Sequence, residues 1–174
     1  MTPVKREREK VAELVHAAGG QIVGRTRLQK IAYLLELTGQ GDGFDFEYRH
    51  YGPYSETLSE AIRLANAFGL VEEEERVAHW GGRYSIYKVC AEFASHNDNN
   101  RARFATTAAS VSSVELELAA TAAYLSAVED VKDPWEETMR RKPEKAADGR
   151  LEKAKEAYRV LLNLQTPKPL PKIA

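Results

Sequence analysis

Four histidines, one cysteine, a glycine-rich pentapeptide and a few close carboxylates are the residues of this sequence whose types could carry catalysis. His16, His50, His79 and His96 stand far apart, with neither metal-ligand spacing nor an HExxH arrangement. The lone Cys90 lies beside Val89 and Ala91 and reads as a buried, inert thiol. It permits no internal disulfide and fits a reducing compartment. The glycines of GQGDG, residues 39–43, have a spacing that could cradle phosphate, but they follow a helical pattern and precede a strand-like one. Phosphate loops run the other way, so that a helix N-terminus faces the anion. This segment reads as a flexible connection. Asp42/Asp45 and Asp130/Asp133 lack the second component that acid–base chemistry requires. No catalytic set, no metal and no cofactor is expected, and the reading is of a protein that is not an enzyme.

Recognition chemistry is better represented. The corner Tyr51-Gly52-Pro53-Tyr54-Ser55 follows a polar-aromatic run and precedes a helical pattern. Gly52 can take backbone angles closed to other residues, and Pro53 fixes the next angle and is expected to start the helix. Each tyrosine carries a large apolar body and a hydroxyl that wants a partner. They could staple the strand to its neighbouring helices, or leave one ring exposed as an anchor. Tyr54, past the proline, is the expected exposed ring, and Tyr51 is expected to turn inward. Arg27 and Lys30 stand upstream as accessible cations, and the expected partner-binding set is Arg27, Lys30, Tyr51, Gly52, Pro53, Tyr54 and Ser55.

The elements that must position this corner can be read from periodicity. Thr2-Pro3 offers a cap and a first-turn proline for one helix, with Val4, Val11, Leu14 and Val15 on one side. Thr26-Arg27-Leu28-Gln29 has capping-box form, and Leu28, Ile31, Ala32 and Leu35 keep the spacing of a buried stripe. Phe44, Phe46, Tyr48 and His50 alternate with charged residues, which predicts a half-buried strand. Leu58, Ala61, Ile62, Ala65 and Phe68 mark a third helix closed by Gly69. Residues 70–79 and 83–89 form the arms of a hairpin around Gly81-Gly82. Residues 95–100 read as a linker. Beyond it come an alanine-rich helix capped by Ser112, another opened by Asp133-Pro134, and a last one capped by Asp148. The tail from residue 167 is proline-punctuated and reads as extended or disordered.

The expected fold class is therefore α+β and mainly α: a winged-helix-like unit over residues 1–92 with a hairpin, a helical extension over 93–166 packed on it, and the tail at 167–174. At 174 residues, 43% hydrophobic and 29% charged, the chain suits one compact domain. It has no apolar run near the length of a membrane span and no signal-peptide pattern at its start, so cytoplasmic is the expected location. The net charge is −1, unevenly spread: residues 1–30 carry seven Lys/Arg against three Glu, whereas 72–75 are four consecutive glutamates.

Two stretches, RLQKIAYLLEL and FEYRHYGPYSETLSEAIRLANAFGLV, resemble the YwgA-type family of bacterial and archaeal proteins. More distantly they resemble the SocA-like, or Panacea, antitoxin domain. The matching residues are Leu28, Gln29, Lys30, Tyr33, Tyr48, Tyr51, Gly52, Pro53, Tyr54 and Ser55, within a span from about Gly24 to Val71. The resemblance implies a small helical protein of the kind linked to prophages or toxin–antitoxin pairs. Panacea-type members bind and neutralise toxins, and SocA-like members act as adaptors that deliver a toxin to a protease. Tyr51-Gly52-Pro53-Tyr54 stands where Panacea proteins tend to have a Trp-x-x-Gly-Pro-Val turn. Arg27 replaces the usual lysine, and Ile31-Ala32 a more apolar pair, which sets this chain nearer the YwgA type.

A winged helix invites a nucleic-acid reading as well. The outward face of the third helix, Glu56, Ser59, Glu60, Arg63 and Asn66, is net acidic and would repel phosphate. A rival surface combines Arg25, Arg27, Lys30, Trp80 and Arg83. The leading expectation is a non-catalytic module that binds another protein, such as a toxin or a protease-delivered target. A nucleic-acid-binding regulator is the alternative, and the oligomeric state stays open.

Overall fold

The structure is a computed structural model and describes residues 6–90 and 98–173. It is mainly helical, with two small antiparallel sheets. The elements run α1 (Glu7–Ala17), β1 (Gln21–Val23), α2 (Arg25–Leu37), β2 (Glu47–Arg49), β3 (Gly52–Tyr54), α3 (Glu56–Ala67), β4 (Val71–Val77) and β5 (Arg83–Val89). Five helices follow: α4 (Asn99–Ala109), α5 (Ser113–Ala127), α6 (Pro134–Arg141), α7 (Pro143–Ala146) and α8 (Arg150–Leu162).

Local chemistry explains most of the helix starts. Ser55, Asp98, Ser112 and Asp133 each accept a backbone N–H from the first turn of α3, α4, α5 and α6, satisfying a donor with no partner inside the helix. α2 begins differently. Its cap is Gly24 at φ +96°, and the Thr26 capping box does not form, because the Gln29 side chain is taken up elsewhere. At α8, Gly149 at φ +77° precedes the helix and makes no side-chain cap, so the expected Asp148 cap is replaced by a left-handed turn. The expected cap at Thr2-Pro3 lies outside the described residues; α1 starts at Glu7, after an extended Arg6.

The central helix α5 packs against α2, α6, α8 and the corner strand β3, and α1 packs on α3 and α4. One apolar cluster joins both halves of the chain, from Val11 and Leu28 through Phe104 and Leu118 to Tyr158 and Leu170. α5 is buried on nearly all sides, as its alanines imply: small side chains let neighbouring helices approach. The larger sheet has the order β1-β5-β4, with Ile22 opposite Tyr87 and Glu73 opposite Tyr87 on the other side. β1 leaves no signature in the sequence, since three residues carry too little alternation to register.

Further expectations change. The aromatic run is a strand only over Glu47–Arg49; Phe44 and Phe46 still point inward, from irregular backbone, but His50 is exposed. Phe68 is exposed rather than part of the α3 stripe, and the Arg8 guanidinium lies over its ring. The loop of the β4–β5 hairpin runs from 78 to 82, closed by Ala78 N–H to Gly82 C=O at 2.7 Å. The GQGDG segment is tied down: Arg101 donates to the Gln40 carbonyl and to Asp42, and Glu36 accepts from the Gly43 N–H. Residues 91–97, which hold His96 and the start of the expected linker, lie outside the described residues; Asn99 and Asn100 open α4. The tail has no helix or strand, yet Leu170 is buried, Lys168 N–H bonds the Thr38 carbonyl at 3.0 Å, and the Tyr158 hydroxyl donates to Pro171 C=O.

Candidate functional site

The aromatic corner is a tight hairpin. β2 and β3 pair with Glu47 opposite Tyr54 and Arg49 opposite Gly52, leaving His50-Tyr51 as the turn. Gly52 sits at φ +88°, a region that L-residues with a Cβ avoid, and an added Cβ would lie 2.6 Å from Thr121 Oγ1 on α5. Pro53 therefore belongs to β3 and not to the helix start. It faces Tyr48 on a two-stranded sheet, whose outer edge tolerates a residue without an N–H. The helix starts two residues later, at the Ser55 cap.

This geometry reverses the expected roles of the two tyrosines. Tyr51, at the turn, is 52% exposed, whereas Tyr54, on the strand, is half-buried with the Arg49 guanidinium over its ring. Tyr51 is nonetheless held. Its ring makes an edge contact with His50 and lies 4.3 Å from the Lys145 ammonium.

Beneath the corner the polar side chains of α2 turn inward. The Gln29 amide donates to Ser55 C=O at 3.0 Å and accepts from Ser55 N–H at 2.9 Å. Lys30, only 1% exposed, donates to Pro53 C=O at 2.7 Å. Among the described residues no carboxylate comes within ion-pairing distance of it. Burial lowers its pKa to about 8; Glu117 opposes that shift, and the Lys142 and Lys145 charges add to it. Lys30 is thus not the accessible cation that the sequence suggested. Arg27 is not one either: half-buried, it donates to Val111 C=O at 3.1 Å and to Val23 C=O, locking α2 to the α4–α5 turn and to β1.

Behind Tyr51 lies a cluster that the sequence did not reveal. Glu117 of α5, buried in a run of apolar residues, accepts from Lys142 Nζ at 2.8 Å and from Lys145 Nζ at 2.8 and 2.9 Å. Lys142 Nζ also donates to His50 C=O, so the same ammonium ties the corner's turn to α5. A lone carboxylate inside LELAATAAYL was the available signal, since a buried acid needs a cation, and RRKPEK was its nearest supply.

Among the described residues, two cavities flank Tyr51. One, of about 610 Å³, lies between α2, α3 and the β4–β5 sheet, with Lys30, Gln29, Tyr54 and Tyr87 among its lining residues. The other, of about 400 Å³, opens towards Arg83, Ser113, Glu117 and Lys145. Arg25, Thr26 and Tyr51 line both. Arg25 is largely exposed; it donates to the Tyr87 hydroxyl at 3.2 Å, which raises the Arg25 pKa, and stands 3.9 Å from Glu73. Burial pushes Tyr87 up to about 12. Arg83 pairs with Glu75 at 3.1 Å, and the exposed Trp80 indole lies over Gly82 at the hairpin tip. Gly52, Pro53 and Ser55 are buried and support the corner instead of facing a partner.

Cys90 is partly buried, and its thiol donates to Gly69 C=O at 2.7 Å. Among the described residues no group of three or more His, Cys, Asp or Glu side chains gathers as a metal site would require, and no helix is long and apolar enough to cross a membrane.

The fold and site define a mainly helical α+β protein with an aromatic β-turn braced from below by a buried glutamine and lysine. The chain belongs to the YwgA family. It is 30% identical over 121 residues to the uncharacterized protein YwgA of Bacillus subtilis (strain 168), an alignment covering 67% of this chain and 73% of that protein. No protein-family model matches the chain.

Proposed function

We propose that the protein is a non-catalytic binding module that engages another protein through the Tyr51 turn and the cavities on either side of it. One observation carries the reading: a tyrosine is held half-exposed on a tight turn, between two openings that share an arginine. Tyrosine and arginine are over-represented among the residues that dominate interface energy, and a pre-positioned ring loses little freedom on binding. The order α1-β1-α2-β2-β3-α3-β4-β5, with β2–β3 as a separate hairpin and the sheet order β1-β5-β4, supports a winged-helix-like reading of the N-terminal half. The distant likeness to SocA-like antitoxins makes a toxin, or a target delivered to a protease, the partner class to try first.

The nucleic-acid alternative loses support from the same geometry. Arg27 and Lys30 are engaged internally, and the exposed cations Arg25 and Arg83 stand beside Glu73 and Glu75. A duplex laid here would meet those carboxylates, so binding to DNA should be weak, salt-sensitive and indifferent to sequence.

The test is photo-crosslinking in the native host, with p-benzoylphenylalanine in place of Tyr51 and, as control, of the exposed Met139 on α6. The expected result is a discrete protein adduct from position 51 only, with Tyr51→Ala abolishing co-purification while its melting temperature stays within about 2 °C of wild type. Co-purification that survives Tyr51→Ala would move the interface elsewhere.

A further inference from the structure

Resting on the protein-binding reading, we infer that the cavity over Lys30 receives a carboxylate side chain, aspartate or glutamate, from the partner's docking segment. Lys30 is a buried ammonium lining a cavity of about 610 Å³, with one carbonyl partner among the described residues and two donor positions left over from it. A buried charge without a counter-ion is costly, and truncating its environment cannot relieve that cost, whereas a single incoming carboxylate can. The neighbouring lysines do not share the debt equally: Lys142 and Lys145 both hold Glu117, so Lys30 is the member left without an acid.

Arg25 marks the mouth of the same cavity. Its guanidinium uses Nε on Tyr87 and stands at the limit of ion pairing with Glu73, which leaves other donors facing outward. An acid entering past Tyr51 would meet Arg25 first and Lys30 at depth, with the Tyr51 ring covering its aliphatic stem.

The occupant is a single carboxylate and not a run of phosphates because of the walls. Glu60, paired with Arg63, and Glu73 line the cavity, and Glu56, Glu72 and Glu75 lie exposed on the adjoining α3 and β4. A polyanion would have to pass over all of them, whereas one side chain reaches inward between them.

Glutarate is the probe, one of its two carboxylates reproducing the glutamate side chain; butyrate, with that carboxylate alone, should act in the same direction, and neutral glutaramide and inorganic phosphate are comparison arms at matched ionic strength. At about 20 mM, glutarate should raise the melting temperature of the full chain by about 2–4 °C, the shift that a dissociation constant of about 5 mM gives. Glutaramide should have no effect, and phosphate should have less than glutarate. Lys30→Met and, independently, the surface variant Arg25→Gln should each remove the glutarate effect; Arg25→Gln keeps the test valid if Lys30→Met fails to fold. An equal shift in wild type and in Arg25→Gln, a shift with glutaramide, or no shift at all would overturn the inference. So would a larger response to phosphate. A position-51 adduct obtained without any glutarate response would sink this inference and leave the binding module standing. A Lys30-dependent glutarate response without any adduct would make the ligand a free small carboxylate and overturn the assignment to a protein segment.

Discussion

Gln29 and Ser55, 26 positions apart, are joined by two reciprocal hydrogen bonds in which one side-chain amide serves both backbone groups of the helix cap. The amide imitates a strand partner for Ser55 at the point where β3 ends and α3 begins. Both residues are buried, so no solvent stands ready to replace either bond. Gln29→Met keeps the volume and deletes both bonds. It should destabilise the fold by about 2 kcal/mol, because the buried Ser55 N–H is left without a partner, while its carbonyl keeps the Ser59 N–H. Urea denaturation reads the loss, and hydrogen exchange at Ser55 and Leu58 should accelerate ahead of the rest of α3. Unchanged stability would mean that the corner is held by packing alone.

Gly52 is fixed twice, by its positive φ and by the approach of α5. Gly52→Ala should therefore cost more than the roughly 1–2 kcal/mol of left-handed strain. Thr121→Ala in the same chain removes the Oγ1 that the new methyl would meet and should recover the excess, leaving the strain. A double-mutant cycle isolates that coupling; purely additive effects would show that the corner and α5 can separate freely.

Lys30 gives stability an alkaline slope. In the unfolded chain it keeps its proton to about 10.5, and in the folded one only to about 8, so between those values the unfolded state binds more protons. Stability should therefore rise with pH over that window, by about 1.5 kcal/mol between pH 8 and 9.5 from this group. Buried tyrosines act in the opposite sense above their ordinary range: Tyr87 is raised to about 12, and Tyr33 and Tyr158 are raised as well by burial, so the window closes near pH 10. Lys30→Met should flatten the slope when denaturation midpoints are compared across pH 7.5–9.5, and a persistent slope would assign it to another group.

The tail contributes to the core through Leu170. Leu170→Ala should cost about 2–3 kcal/mol, within the range for a buried leucine. Removing residues 167–174 should cost more, since it also takes the bonds to Thr38 and Tyr158. A truncated chain that melts with wild type would return the tail to solvent.

Whatever depends on neighbours a few positions away is legible in the sequence. The caps at Ser112 and Asp133 and the stripe of Leu28, Ile31 and Leu35 follow from local hydrogen bonding and periodicity and stand as read, and the β4–β5 hairpin stands with its first arm ending at Val77. Lys30 could not be read this way. Helical spacing puts it beside the apolar stripe, where a cation ordinarily reaches solvent, and only α5, arriving more than eighty residues later, and β3 close that side of α2. Tyr51 and Tyr54 traded places for the same reason: which ring is exposed depends on β2 pairing with β3, and the proline that seemed to begin a helix is placed by that pairing. Glu117 and Leu170 complete the pattern, an acid and a leucine whose surroundings come from segments remote in the chain. Local propensity is set by bonds that form within a turn of helix or a strand pair, whereas burial of a particular side chain is a property of every element packed around it.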